Sequence, residues 1–72
     1  MNEQVIGMLS EISADVSKNL QQRLNTIIEL LHTDSPLTLS RARNALEELS
    51  SDSSIESFTR TQLFNAISIL DS

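Results

Sequence analysis

Apolar side chains recur at intervals of three and four residues along four separate segments of this chain. That spacing places the apolar side chains of each segment on one face of an α-helix. Polar or helix-breaking residues separate the segments, which predicts helices over 3–14, 18–32, 36–50 and 54–70. The pattern therefore indicates an all-α fold, in which four amphipathic helices bury their apolar faces against one another.

Each predicted helix has its own apolar stripe. The first three stripes comprise Val5, Met8, Leu9 and Ile12; Leu20, Leu24, Ile27, Ile28 and Leu31; and Leu39, Ala42, Ala45, Leu46 and Leu49. The fourth stripe is the broadest, with Leu63, Ala66, Ile67 and Leu70 at its centre and Ile55, Phe58 and Ile69 to the side. Phe64 falls outside this arc, so we expect it to be exposed.

Polar residues mark the predicted helix starts. Ser17 is a candidate N-cap for the second helix, because a serine hydroxyl can accept a hydrogen bond from the first turn. Pro36 fits the first position of the third helix, with Ser35 as its cap. Ser53, followed three residues later by Glu56, predicts a capping box at the fourth helix.

The chain contains an internal repeat. When residues 9–23 are aligned with residues 46–60, six of the fifteen positions are identical. These identities predict two αα-hairpins, over 3–32 and 36–71, that cover each other's apolar faces within one domain spanning 1–72. Asp15 and Arg23 in the first copy match Asp52 and Arg60 in the second, and we expect each pair to form an ion pair that fixes its hairpin.

The second half of the chain resembles a known family. The run Arg43-Asn-Ala-Leu-Glu-Glu-Leu-Ser-Ser-Asp52, then Ile55, then Thr59-Arg-Thr-Gln-Leu-Phe-Asn65, is similar to an uncharacterised family of small archaeal proteins with two helical hairpins. The chain differs from that family in having no proline in either intra-hairpin turn and little lysine. The resemblance implies an all-helical fold and an archaeal cytosol, and it implies no activity.

Composition excludes several classes of function. The net charge is −5 and only five residues are basic, which is unsuited to binding a phosphate backbone or an anionic membrane surface. No apolar run approaches the roughly 20 residues that a membrane span requires. The N-terminal residues lack the basic start and apolar core of a signal peptide, so we expect a cytoplasmic protein.

The sequence offers little for catalysis, metals or cofactors. The chain has no cysteine and a single histidine, His32, which falls in the last turn of a helix and is expected to face the negative end of its dipole. Glu47 and Glu48 are adjacent and would point about 100° apart on a helix, which is unsuited to paired acid–base chemistry. We therefore expect neither an enzyme nor a bound cofactor or metal.

Two functional hypotheses remain open from the sequence. The first is a protein-interaction module that binds itself or another protein, with Phe64 as an aromatic anchor beside Arg60, Asn65 and Thr59. The second is a small-ligand or anion-binding domain that uses the polar patch around Arg60. The small expected core favours self-association, because a chain of this length buries only about 60% of its unfolded surface.

Overall fold

The computed structural model describes residues 2–33 and 35–71, in which the chain forms four α-helices. They are α1 (Glu3–Ser13), α2 (Lys18–Thr33), α3 (Pro36–Ser50) and α4 (Ser57–Asp71). Helices α1 and α3 each pack against both α2 and α4, so the four helices form a closed ring. The predicted all-α, four-helix class is confirmed. Asp34, which the sequence places in the turn between the hairpins, lies outside the described residues, as do Met1 and Ser72.

Two of the predicted helix starts are confirmed. The Ser35 hydroxyl accepts a hydrogen bond from the Thr38 backbone N–H at 3.2 Å, and Pro36 occupies the first turn of α3. At α2, the Ser17 hydroxyl accepts a hydrogen bond from the Leu20 N–H at 3.4 Å. These caps satisfy backbone donors that have no partner within the helix, and they set where α2 and α3 begin.

The fourth helix begins later than the sequence indicated. It starts at Ser57 rather than at 54, and its first backbone hydrogen bond runs from the Arg60 N–H to the Glu56 carbonyl at 2.9 Å. Both Ser53 and Glu56 therefore precede the helix, and the predicted capping box is wrong. A polar turn over residues 51–56 takes the place of the expected first turn.

The core is entirely aliphatic. Its buried members come from all four helices and from the second turn: Val5, Leu9, Ile12, Leu24, Ile27, Leu31, Ala42, Leu46, Leu49, Ile55, Leu63 and Ala66. Phe58 was expected to widen the apolar face of α4, and this is wrong, because 67% of its surface is exposed. Phe58 is five residues before Leu63 and therefore points about 140° away from it around the helix.

The two hairpins are similar but unequal. Helix α1 ends at Ser13 and α3 ends at the aligned Ser50, as the repeat predicts. The turn that follows spans the four residues 14–17 in the first hairpin and the six residues 51–56 in the second. The two extra residues shift the alignment of α2 with α4, so Gln21, and not Arg23, is the positional equivalent of Arg60.

An arginine joins α3 to α4 at the end of the bundle opposite these turns. The Arg43 Nε and Nη2 atoms donate to the two carboxylate oxygens of Asp71, at 2.6 and 2.9 Å, and Nη1 also donates to Glu47. This bidentate geometry fixes both side chains. Hydrogen bonds from Arg43 hold the pKa of Asp71 below its ordinary value.

We predict that replacing one buried leucine will destabilise the fold far more than replacing an exposed one. Leu46→Ala removes a fully buried side chain and should lower the free energy of unfolding by about 2–5 kcal/mol. Leu37→Ala, at a site 63% exposed, is the matched control and should change it by less than about 0.5 kcal/mol. Urea denaturation measures both, and equal effects would contradict this core.

Stability should also fall at acid pH. The folded-state pKa values of Asp52 and Asp71 both lie below their ordinary values. Each carboxylate therefore stabilises the fold at a pH above its unfolded pKa of about 3.9, and this contribution is lost as the pH falls through the folded pKa. Thermal melts from about pH 6 to about pH 2 should show Tm declining in that range.

Asp71→Asn provides the control for the acid effect. It should lower Tm near neutral pH and make the decline below pH 4 or so shallower, because it removes one of the carboxylates whose pKa is lowered in the folded state. An unchanged acid profile in this variant would show that the pair between Arg43 and Asp71 contributes nothing to stability.

Candidate interaction site

The turns of both hairpins lie at the same end of the bundle, and a groove runs between them. It consists of two adjoining cavities of about 300 and about 360 Å³ that share four lining residues: Asp15, Val16, Glu56 and Thr59. Leu20, Arg23, Asp52 and Ile55 line the first cavity, while Glu11, Ile12, Phe58 and Gln62 line the second. We call the two cavities together the turn-end groove.

Asp52 organises the second turn. Its Oδ1 atom accepts hydrogen bonds from the Ser54 backbone N–H at 2.9 Å and from the Ser54 hydroxyl at 2.7 Å. This is the arrangement by which aspartate side chains stabilise turns. The hydrogen bonds from Ser54 are the main reason that the pKa of Asp52 is lowered, and the positive charges of Arg23 and Arg60 add to the effect.

Arg60 holds the same turn from the helix side. Its Nη2 atom donates to the backbone carbonyls of Asp52 and Ile55, both at 3.0 Å. Its Nε atom is buried and has no hydrogen-bond partner within the described residues. The guanidinium of Arg60 therefore contacts the backbone of its own hairpin, and the expected ion pair with the Asp52 carboxylate is wrong.

Gln21 holds the turn of the first hairpin in the same way, by donating a hydrogen bond to a backbone carbonyl. Its Nε2 atom donates to the Ser13 carbonyl at 2.8 Å, and the two residues are eight positions apart, as Arg60 and Asp52 are. Both hairpins thus use the same kind of contact. A side-chain amide holds the shorter turn, and a guanidinium holds the longer one. The extra reach of arginine suits a turn with two more residues to hold.

The ion pair near the turns joins the hairpins instead of closing each one. Arg23 Nη1 lies 3.7 Å from Asp52 Oδ2, so a residue of α2 contacts the turn between α3 and α4. The predicted pairing of Arg23 with Asp15 is therefore wrong. Because the structural alignment shifts after the unequal turns, Arg23 faces the opposite hairpin and Asp15 is left on the rim of the groove.

The four residues proposed as a partner site do not share one face of α4, although Arg60 and Phe64, four positions apart, lie only about 40° apart around the helix. Thr59 lines the turn-end groove, whereas Arg60 is directed at its own turn. Phe64 is 54% exposed, and Asn65 is also exposed. Positions five residues apart point about 140° apart around a helix, so Thr59 and Phe64 lie on different sides of α4, as do Arg60 and Asn65. Binding by these residues stays a prediction.

Sequence reasoning missed Phe58 and the acidic rim of the groove. The expectation that Phe58 belongs to the core hid its exposure, and the acidic residues lie in or beside two turns distant in sequence. The signal that could have suggested the groove is the pair of Asp- and Ser-containing turns, since hairpins of an up-down bundle bring alternate turns to one end.

Two features are absent from the described residues. Across 2–33 and 35–71, no group of three or more His, Cys, Asp or Glu side chains is placed to hold a metal ion. Among the helices described, none combines the length and apolar character needed to cross a membrane.

The fold places the chain among small four-helix proteins built from two αα-hairpins. The chain belongs to the uncharacterised protein family UPF0147, whose family model matches residues 1–72. This confirms the resemblance to an uncharacterised family of small helical proteins. Comparison with curated proteins gives no match, and comparison with solved structures gives none either.

Arg60→Ala tests whether that side chain holds the second turn. The substitution removes two hydrogen bonds from a charged donor to backbone carbonyls and should lower the free energy of unfolding by about 1–3 kcal/mol. Arg41→Ala removes the same charge from an exposed position of α3 and should be nearly neutral. Chemical denaturation of both variants would contradict the structural role if their stabilities were equal.

Proposed function

We propose that this protein is a protein-interaction module that self-associates through the exposed side of α4. The observation that carries the proposal is the placement of the aromatic residues. The chain has two, Phe58 and Phe64, and both lie on α4 outside the core, with 67% and 54% of their surfaces exposed. Aromatic side chains contribute strongly to binding where they are buried between partners.

The aliphatic core strengthens this argument. A chain of 72 residues has a limited core and gains stability by burying its largest apolar side chains. Here the two largest apolar side chains stay in contact with water in the monomer. A contact between copies that covers Phe64 would supply the missing burial, which is a common source of stability for scaffolds of this size.

The charge of the chain gives the contact a recognisable salt dependence. Each copy carries a net charge of −5, so two copies repel each other at low ionic strength. Salt screens this repulsion and leaves apolar burial unweakened. Self-association through α4 should therefore become stronger as salt is added.

The anion-binding alternative has less support from the geometry. The Nη2 atom of Arg60 already donates to two carbonyls, and the neighbouring groove contains the carboxylates of Asp15, Asp52 and Glu56. An anion near Thr59 would be repelled by these groups. The alternative stays a prediction. Phosphate would support it by raising the Tm of the wild type but not that of Arg60→Ala.

Phe64→Ser should weaken self-association. Light scattering coupled to size exclusion should give the wild type a mass of twice the 8.0 kDa chain and the variant a mass near one chain. Loss of an interface aromatic typically costs about 2 kcal/mol or more, which raises the dissociation constant about thirtyfold.

Phe58→Ser is the matched control for this experiment. It removes the same side chain from the same helix, at a site even more exposed, but about 120° away around the helix. Its mass should stay that of the wild type. A wild type that remains monomeric at about 100 μM, at low and high salt alike, would overturn the proposed self-association.

A further inference from the structure

The turn-end groove has an apolar floor and an acidic rim. Ile55 is buried, Val16 and Leu20 are half-buried, and these three side chains form the apolar part of the first cavity. The cavity is about 300 Å³, which is large enough to take one long side chain and part of its backbone. The groove is thus shaped for a side chain with an apolar stem and a polar end.

The rim has an unbalanced charge. Four carboxylates line the two cavities, from Glu11, Asp15, Asp52 and Glu56, against the single guanidinium of Arg23. Arg23 pairs with Asp52. Within the described part of the chain, no ion pair engages the carboxylates of Glu11, Asp15 or Glu56, so their charges are available to a partner.

Helix dipoles do not cancel this negative charge. The starts of α2 and α4 bring two positive dipole ends to the turns, and the ends of α1 and α3 bring two negative ones. Because the helices alternate in direction, the four contributions largely offset one another. The side chains therefore determine the sign of the potential in the groove, where four carboxylates outnumber the guanidiniums of Arg23 and Arg60.

An aromatic ring completes the groove. Phe58 lies in its second cavity, beside Ile12, Val16 and Glu56, with 67% of its surface exposed. A ring at this position offers a face on which a cation or a flat guanidinium can stack. Its exposure next to unpaired carboxylates is explained if a positively charged group occupies the space between them.

We propose that the turn-end groove docks an arginine-bearing segment of a partner protein. The stem of the arginine packs on Val16, Leu20 and Ile55, as long cationic side chains commonly cover apolar surface. Its guanidinium is held by the carboxylates of Asp15 and Glu56 and stacks on Phe58. Arginine suits this groove better than lysine, because its planar head pairs with carboxylates in a bidentate manner and stacks on rings.

The experiment uses the full chain and a defined probe. The probe is the peptide acetyl-Leu-Arg-Leu-amide, titrated into the ¹⁵N-labelled protein while amide chemical shifts are recorded. Shift changes should concentrate in residues 11–20 and 52–62 and should saturate below about 10 mM peptide. The same peptide with citrulline in place of arginine keeps the shape without the charge, and it should bind at least about tenfold more weakly.

Protein variants test the acidic rim. Asp15→Asn and Glu56→Gln should each weaken binding of the arginine peptide by about threefold, the scale of one exposed charge pair. Glu29→Gln removes a carboxylate from an exposed position of α2 outside the groove and should leave binding unchanged. Phe58→Ser should also weaken binding, although it is expected to leave self-association intact.

Salt separates this inference from the proposed self-association. Binding of the arginine peptide should weaken as salt is added, whereas association through α4 should strengthen. Equal binding of the citrulline peptide, shift changes outside the groove, or no shift changes up to about 10 mM peptide would each overturn the inference. None of these outcomes affects the test of Phe64, because the two surfaces are read out by different variants.

Discussion

The structure depends on one constraint: each hairpin can bury its apolar face only against the other hairpin. A single αα-hairpin leaves one apolar face in water, and the ring of four helices removes both faces from water at once. The aliphatic core draws on every helix, so stability is shared across the chain and not held in one half. The polar contacts add to the stability that the core provides. They determine where helices begin, how the turns are held and which elements are linked at the surface.

Two ion pairs between residues distant in sequence link neighbouring elements of that ring. Arg43 reaches Asp71 at one end, and Arg23 reaches Asp52 at the other. In each case an arginine on one helix contacts a carboxylate far along the chain. Exposed ion pairs of this type contribute little stability by themselves. Their effect is positional. Arg43 and Asp71 fix α3 against α4 within the second hairpin, whereas Arg23 and Asp52 hold the two hairpins together beside the turn-end groove.

The sequence predicted the fold better than the site, for a physical reason. Helix periodicity and caps such as Ser17 and Ser35 act between residues close in sequence, where rules of spacing apply directly. The site depends on which distant residues meet, and the two-residue difference between the turns decides that. It moved the equivalent of Arg60 from Arg23 to Gln21, and periodicity alone carries no information on that point. The exposure of Phe58, by contrast, follows from its angle of about 140° to Leu63 around α4.

The unequal turns also determine how the groove can be used. A cleft between two identical turns would look the same after half a rotation, and a ligand could enter it in either of two equivalent directions. Here one turn is held by the neutral amide of Gln21 and the other by the charged Arg60, and only the second contains the extra residues. The two directions are therefore chemically distinct. If the proposed arginine-bearing segment docks in the groove, it should therefore bind in a single direction, and each chain should offer one site for it.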